Sequence, residues 1–263
     1  MLWRRHHGGS GDALPETWHD VVTSRMALWS QLDDDEQATV QDTARWLLES
    51  KHWEAARGFA LTDEVRVLIA AHAALLVLGL GLDQYRIVSA IIVHPTTVTT
   101  TGERAGPTAG TVSDDPLPIL GQASDERGPI LIAWDAVLEG SAHPEWGSNV
   151  VHHEFAHKLD MLDGYADGVP PLGDRALVER WVAVCRAELD VVRDGTDRHP
   201  VLRPYAGVNE AEFFAVASEA FFNVPLALEA HNRELYDLLS TYYGQDPASR
   251  ARRAGHHHTP AAG

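Results

Sequence analysis

Two histidines four residues apart, His153 and His157, constrain this chain more than any other feature, because they flank Glu154 in an HExxH pattern. On an α-helix, positions i and i+4 share one face, so both imidazoles can reach the same ion. Glu154 then lies at the edge of that face, where it can contact water without binding the ion. The pattern predicts a helix over residues 147–163, ending near Gly164, that provides two zinc ligands and a general base.

A catalytic zinc site needs a third protein ligand, and four residues are candidates for it: Asp163, His199, Glu212 and Glu219. Asp163 stands where the HExxHxxGxxH class has its last ligand. That class needs glycine at the position of Asp160 and a later methionine turn, and no methionine follows Met161. His199 lies in the segment "DGTDRHP", where nothing in the sequence orients its ring.

Both glutamates belong to the segment "YAGVNEAEFFAVASEAFF", residues 205–222, which predicts a helix. Asn209 is its predicted N-cap, with Glu212 at the third helical position. Glu212 and Glu219 are seven residues apart, so they share one face, and phenylalanines surround it. Paired carboxylates that face a helical HExxH are typical of zinc peptidases whose ligands are two histidines and one glutamate.

Asp160 lies three residues after His157 and shares its helical face. A carboxylate near a helix C-terminus meets the unfavourable end of the helix dipole, so we expect Asp160 to have a local task. The expected task is to accept the second ring N–H of a ligand histidine. His152 points away from His153, towards the face of Phe155, and is interpreted as a packed histidine.

The chain of 263 residues has 21 basic and 38 acidic residues and a formal net charge of −17. This charge disfavours direct binding to nucleic acid or to an anionic membrane. The longest apolar run, Val65 to Leu82, is interrupted by Arg66 and His72 and is shorter than the roughly 20 residues of a membrane span. We therefore expect a core helix there. Cys185 is the single cysteine, which fits a reducing compartment.

The remaining pattern predicts an α+β fold that is mainly helical and has a small central β-sheet. One domain is expected over residues 13–245, with a helical part to about residue 84 and the sheet and active-site helices after it. Residues 1–12 and 246–263 are expected to be flexible tails. Helices are predicted after Pro15, after Asp33 to Asp35, from Thr62, and at about residues 174–193, 209–222 and 225–243.

Two segments rich in β-branched or apolar residues, Tyr85–Thr100 and Gly128–Trp134, predict strands. The residues between them, 101–129, are rich in Gly, Pro, Ser and Asp and predict a long loop. An extended peptide can bind by adding a strand to an exposed sheet edge. The strand Gly128–Trp134 is expected to be this edge, or else an interior strand of the sheet.

Four segments together resemble the Mlc titration factor A family of zinc peptidases: "HHEFAHKLD", "YAGVNEAEFFAVASEAFF", "GPILIAWDAVLEG" and "LTDEVRVLIAAHAALLVLGLGLDQYRIVSAIIVHP". The similarity runs over residues 14–245. The motif Tyr-x6-Glu-Phe-Phe-Ala also resembles the catalytic domain of anthrax lethal factor. The resemblance implies a zincin-like fold, one zinc ion held by His153, His157 and Glu212, and Glu154 as the general base.

The same resemblance makes Tyr205, seven residues before Glu212, the phenol that stabilises the oxyanion. The sequence departs from the thermolysin-type ExxxD pattern, because Val216 stands four residues after Glu212. Glu219 is therefore expected to be the carboxylate that supports the site from behind the ligands. Glu212 is preferred as the ligand because it lies in the first helical turn and has the required spacing from Tyr205.

The resemblance implies a cytoplasmic bacterial peptidase that acts on a peptide or protein substrate. The family is named for binding a transcriptional repressor, so a second function is a regulatory protein that sequesters such a regulator. No part of the sequence identifies a surface for that partner.

Overall fold

The computed structural model of the protein describes residues 14–96, 98–100, 104–105, 112–113, 117–119, 128–194 and 199–255. In these ranges the helices are α1 (Trp18–Arg25), α2 (Asp34–Ser50), α3 (Asp63–Leu76), α4 (Trp134–Ala142), α5 (Val150–Asp160), α6 (Arg175–Asp194), α7 (Glu210–Asn223), α8 (Pro225–His231), α9 (Arg233–Tyr243) and α10 (Pro247–Arg253). The strands are β1 (His52–Ala55), β2 (Ala90–His94), β3 (Val98–Thr100), β4 (Arg104–Ala105), β5 (Val112–Ser113), β6 (Leu117–Ile119) and β7 (Ile130–Ala133). The mainly helical α+β fold is confirmed.

Three helices open the fold, as the sequence predicts. α2 begins after Asp33, whose carboxylate accepts the backbone N–H of Glu36 at 2.9 Å, while the Glu36 carboxylate accepts the N–H of Asp33 at 3.0 Å. This reciprocal pair satisfies two backbone donors that the helix itself cannot. α3 begins after its N-cap, Thr62, and every residue from Val67 to its end is buried. The expectation of a core helix is therefore confirmed.

The central sheet contains three parallel strands in the order β1-β2-β7. The predicted strand from Tyr85 begins only at Ala90. The reason is that Leu82–Ile87 form a 3₁₀ helix, in which Tyr85 is buried and donates its hydroxyl to the carbonyl of Ala73 at 2.8 Å. β1 is missing from the sequence prediction. Its four residues alternate between exposed and half-buried positions, and they form a strand by pairing with β2.

The predicted loop over residues 101–129 contains short strands, so this prediction is wrong in part. β3 pairs with β6 and β4 pairs with β5, both antiparallel. Backbone pairing between segments far apart in the loop leaves little mark on local composition. The rest of the segment up to residue 127 lies outside the described residues.

The C-terminal part differs from the prediction in two ways. The helix predicted over residues 225–243 breaks at Asn232, whose side chain accepts the backbone N–H of Leu235 and so starts α9. Pro225 does start α8 and Gly244 does end α9 in the left-handed region, as predicted. α10 then occupies the start of the predicted tail, because its buried Arg250 binds the Glu36 carboxylate at 2.7 Å. Residues 256–263 and the predicted N-terminal tail lie outside the described residues.

Two buried helices, α5 and α7, pack against each other in the centre of the protein and carry the residues of the site. β7 pairs with β2 and has no second strand partner among the described residues, so it forms an edge of the sheet there.

Within the same residues, no single helix is long and apolar enough to cross a membrane. The bent pair α7 and α8 meets the length and composition test only when both are counted together.

Candidate metal centre

Asn149 sets the start of the HExxH helix and links it to α7. Its side-chain oxygen accepts the backbone N–H groups of Val151 and His152, at 3.0 and 3.1 Å, as an N-cap does. Its own backbone N–H donates to Glu219 Oε2 at 2.6 Å. The whole of α5 is buried, so its orientation is fixed by packing as well as by this cap.

Three side chains bring one atom each to a common point between α5 and α7. His153 Nε2 lies 3.0 Å from Glu212 Oε2 and 3.2 Å from His157 Nε2, and His157 Nε2 lies 3.4 Å from Glu212 Oε2. In a tetrahedral zinc site with bonds of about 2.0–2.1 Å, ligand atoms are separated by about 3.3–3.4 Å. The triangle therefore has the size that such a metal requires.

The ring of His153 presents the tautomer that binds a metal. Its Nδ1 lies 2.8 Å from Glu219 Oε1, an acceptor-only carboxylate, so Nδ1 carries a proton, and in the neutral ring Nε2 has the lone pair. Glu212 Oε2 is buried near both histidines and accepts no aligned hydrogen bond. Two nitrogen lone pairs and an anionic oxygen in this arrangement repel one another unless a proton or a metal ion lies between them. The residues present therefore fit a metal ion.

The carboxylate of Glu219 is the most heavily bonded group behind the triangle. Besides Asn149 and His153, it pairs with the guanidinium of Arg203, which lies directly before the 3₁₀ helix Pro204–Gly207. Glu219 is 1% exposed, so this pairing offsets the cost of burying its charge. Neither Arg203 nor Asn149 was found from the sequence. Asn149 stands directly before the HExxH helix and could have been identified as a cap.

Asp160 does not have the role that we expected. Its Oδ2 accepts the backbone N–H of Gly168 at 3.0 Å, and its Oδ1 is buried without a partner. Burial raises the pKa of this carboxyl to about 7. The carboxylate therefore anchors the chain that follows α5, and Glu219 accepts the ring N–H of the histidine instead. The prediction was wrong because the acceptor lies on α7 and not on α5, the helix that carries both histidines.

Glu154 and Tyr205 flank the triangle. Glu154 is 2% exposed, and its Oε1 has no hydrogen-bond partner. Burial, with the charges of Glu212 and Glu219, outweighs the attraction of His153 and raises the pKa of Glu154 to about 8. The ring of Tyr205 lies 5.9 Å from that of His153. Burial and the neighbouring Glu212 raise the pKa of the Tyr205 phenol above its usual range, so the hydroxyl stays protonated and can donate.

The two rejected ligand candidates lie elsewhere. Asp163 is exposed, and its carboxylate accepts the backbone N–H of Tyr165 in the turn after α5. His199 is held by Glu188, with 2.7 Å between His199 Nε2 and Glu188 Oε1. No local pattern indicates that contact, because Glu188 lies on α6, where it reads as an ordinary helical carboxylate.

His152 is a packed histidine, as expected, and belongs to a buried polar cluster behind α5. Its Nε2 lies 3.3 Å from His72 Nδ1, and His72 Nε2 lies 2.8 Å from the hydroxyl of Ser141. The side-chain amide of Asn149 also contacts His72 Nδ1, at 3.1 Å. Burial lowers the pKa of His72 to about 3, so its ring stays neutral. The cluster connects α3 and α4 to the cap of the HExxH helix.

Comparison with known proteins identifies the family of this chain. Residues 1–244 match the family model described as glucose-regulated metallo-peptidase M90. Mlc titration factor A of Serratia proteamaculans is 32% identical over 256 residues, covering 95% of this chain and 94% of the relative. The Yersinia pestis protein of the same name is 32% identical over 241 residues, covering 90% and 87%. An uncharacterized protein of Synechocystis sp. is 32% identical over 236 residues, covering 89% and 86%. The resemblance found in the sequence is thereby confirmed, and the chain belongs to the glucose-regulated metallo-peptidase M90 family, together with the Mlc titration factor A proteins.

Proposed function

We propose that this chain is a zinc-dependent peptidase that binds one zinc ion through His153, His157 and Glu212. The observation that carries the proposal is the triangle of ligand atoms, whose sides of 3.0, 3.2 and 3.4 Å have the size of a tetrahedral zinc site. The tautomer of His153, set by Glu219, supports the same assignment. Membership in a metallopeptidase family supports it independently.

The chemistry follows from the groups around the triangle. Zinc, when bound, supplies the Lewis acidity that makes a peptide carbonyl open to attack by water. Glu154, as general base, takes a proton from the attacking water and delivers it to the leaving amine nitrogen. Tyr205 donates a hydrogen bond to the negative charge that develops on the carbonyl oxygen. The edge strand β7 offers backbone groups to an extended peptide, so we propose that substrate pairs there.

The test is the variant Glu154→Gln, which keeps the shape of the side chain and removes its basicity. We expect hydrolysis of a peptide library to fall by about 10²–10⁴, while zinc remains bound at one equivalent. The matched control is Glu210→Gln, an exposed carboxylate two residues before Glu212, which should leave turnover unchanged. Peptide turnover that is equal in Glu154→Gln and in the unaltered protein would contradict the mechanism.

A second function is favoured by the name of the relatives, Mlc titration factor A. In this alternative the chain sequesters a transcriptional regulator protein and its peptidase activity is minor. Glu154→Gln separates the two functions, because it removes hydrolysis and leaves the surface of the protein intact. Retained binding of the regulator by this variant, with no cleavage of the regulator by the unaltered protein, would support sequestration.

We further propose that the protein works in the cytoplasm and contacts neither nucleic acid nor a membrane directly. The net charge of −17 supports this, because it repels polyanions. Burial raises the pKa of Cys185 to about 12, so this thiol is unreactive. Fractionation of cells that express a tagged chain, followed by immunodetection, tests the location, and recovery with membranes would contradict it.

A further inference from the structure

A second cluster of histidines and a carboxylate lies outside the metal centre. Glu188 on α6 accepts hydrogen bonds through Oε1 from His199 and from His231, each at 2.7 Å. Its Oε2 accepts the side-chain amide of Asn232 at 2.6 Å. Burial alone would raise the pKa of Glu188, but these three hydrogen bonds outweigh it and lower the pKa to about 2. The carboxylate is therefore ionised and saturated with donors.

Two histidines and a glutamate at these distances could also bind a metal ion, and the ring of His199 decides between the two interpretations. Its Nδ1 accepts the backbone N–H of Val201 at 3.2 Å and that of Leu202 at 2.8 Å. A nitrogen that accepts two N–H groups carries no proton, so the proton of the neutral ring is on Nε2 and points at Glu188. This is the opposite tautomer to that of His153, and it leaves no lone pair on Nε2 for a metal.

The backbone that His199 holds is the one that leads into the metal centre. Leu202, whose N–H is bound by the ring, is 2% exposed. The next residue is Arg203, which pairs with Glu219, and Tyr205 follows in the short 3₁₀ helix that begins at Pro204. Arg193 also donates to the carbonyl of Gly207 at 2.9 Å, so α6 holds this segment at both ends.

We propose that His199 is a positioning residue for the reaction: through Nδ1 it fixes residues 201–205, so that Tyr205 meets the developing oxyanion, and it binds no metal. This inference rests on the proposed peptidase function. Glu188 orients the imidazole and fixes its tautomer. A displacement of about 1 Å at a catalytic group can cost about 10²-fold in rate, so the loss of this support should reach the chemical step.

Two variants separate the two sides of the ring. His199→Gln places an amide donor near Nε2 and lacks the acceptor at Nδ1, whereas His199→Asn places a carbonyl oxygen near Nδ1 and lacks the donor. We expect His199→Gln to lower kcat by about tenfold or more, with KM and zinc content unchanged, and His199→Asn to recover most of the rate. The control is His231→Asn, which removes a similar bond to Glu188 but does not contact the segment. It should change kcat less than about threefold.

Coupling to Tyr205 distinguishes positioning from general loss of structure. If His199 acts through the phenol, His199→Gln costs almost nothing further in a chain that already carries Tyr205→Phe. A full additional tenfold loss in that background would overturn the proposal, as would equal kcat for His199→Gln and the unaltered protein. Two bound zinc ions in the unaltered protein, with one in His199→Gln, would overturn the metal-free interpretation.

The hold of His199 Nδ1 on the N–H groups of Val201 and Leu202 is here called the clamp. Amide hydrogen exchange tests this clamp without any activity measurement. In the unaltered protein the amides of Val201 and Leu202 should be protected, in His199→Gln they should exchange at least about tenfold faster, and in His199→Asn protection should return. Unchanged protection in His199→Gln refutes the clamp. A chain that shows this exchange pattern but hydrolyses no peptide refutes the proposed function and leaves the clamp in place.

Discussion

Glu219 Oε1 lies 2.8 Å from Nδ1 of His153, so a buried carboxylate on one helix fixes the tautomer of a candidate ligand on another. The same carboxylate receives the backbone N–H at the start of the HExxH helix and pairs with Arg203. It thereby ties together the cap of α5, a candidate metal ligand and the segment that carries Tyr205.

The variant Glu219→Gln should weaken zinc binding by about 10–100-fold, the range found when groups that orient ligand histidines are replaced. The amide can still accept from His153, but it lacks the charge that raises the basicity of the ring. The measurement is competition with a chelator of known affinity. Glu210→Gln on the exposed side of the same helix is the control, and equal affinity for both variants would contradict the role of Glu219.

Zinc stoichiometry should identify the third ligand. We expect severe loss of bound zinc in Glu212→Gln, partial loss in Glu219→Gln, and none in Asp163→Asn. Asp163 is exposed, and its carboxylate accepts the backbone N–H of Tyr165 in a turn. Metal analysis after dialysis against zinc-free buffer gives the answer. Full occupancy in Glu212→Gln with loss in Asp163→Asn would assign the site to the turn-based class instead.

Tyr205→Phe keeps the aromatic ring and removes the hydroxyl. The loss of one donor to the oxyanion typically costs about 10²–10³ in kcat, and the zinc content should not change. Steady-state hydrolysis of the best peptide from the library measures this. A fall of less than about threefold would show that the tyrosine serves packing only.

Gly168 should tolerate no side chain. Its φ is +75°, and a Cβ there would collide with the backbone of Glu210 at the start of α7. Its N–H binds Asp160 and its carbonyl accepts the indole N–H of Trp181 at 2.8 Å, so the backbone cannot move away easily. We expect Gly168→Ala to reduce the free energy of unfolding by about 1–3 kcal/mol or more. Urea titration of both variants is the measurement. Gly173→Ala, where a Cβ meets open space, is the control and should be nearly neutral.

The stability of the metal-free protein should depend on His72. Burial lowers the pKa of His72 to about 3, against about 6.5 in an unfolded chain. Between these values the unfolded chain binds a proton that the folded protein does not. The stability contributed by the neutral ring is therefore complete above about pH 6.5 and is lost as the pH falls towards 3.

In His72→Gln the free energy of unfolding should consequently change less steeply over this pH range, by up to about 1.4 kcal/mol per pH unit. Urea titrations in the presence of a chelator, at several pH values, measure the slope. The exposed His19 provides the control variant, His19→Gln, which should follow the unaltered protein. Parallel curves for His72→Gln and the unaltered protein would contradict the prediction.

Sequence patterns that span a few residues predicted the features of single helices. The start of α2 near Asp33 to Asp35, the capping of α7 by Asn209, and the shared face of His153 and His157 are readable because helical periodicity and capping act over a few residues. The expectation that Asp160 accepts the ring N–H of a ligand histidine is wrong, because the acceptor at His153 is Glu219, which another helix carries. Spacing within one helix cannot reveal which side chain a second helix brings to it.

Packing between distant elements explains the other differences. The short strand β1 exists through pairing with β2, and the helix predicted over 225–243 breaks where Asn232 contacts Glu188. Arg203 has no local pattern around it, and only the fold brings it to Glu219. The family resemblance supplied Glu212 and Tyr205, whose roles the residue spacing alone would have left undecided.

His153 and His157 lie on α5 and Glu212 lies on α7, so an ion bound by all three joins two helices that are far apart in the sequence. Only the folded chain offers this set of ligands, and the ion therefore stabilises the folded chain by mass action. At a free concentration of about 100 times the Kd, the gain is about 2.7 kcal/mol. The lifetime of the protein in a cell should then follow zinc supply. Under zinc starvation the chain unfolds more often and is degraded sooner, so abundance falls along with activity.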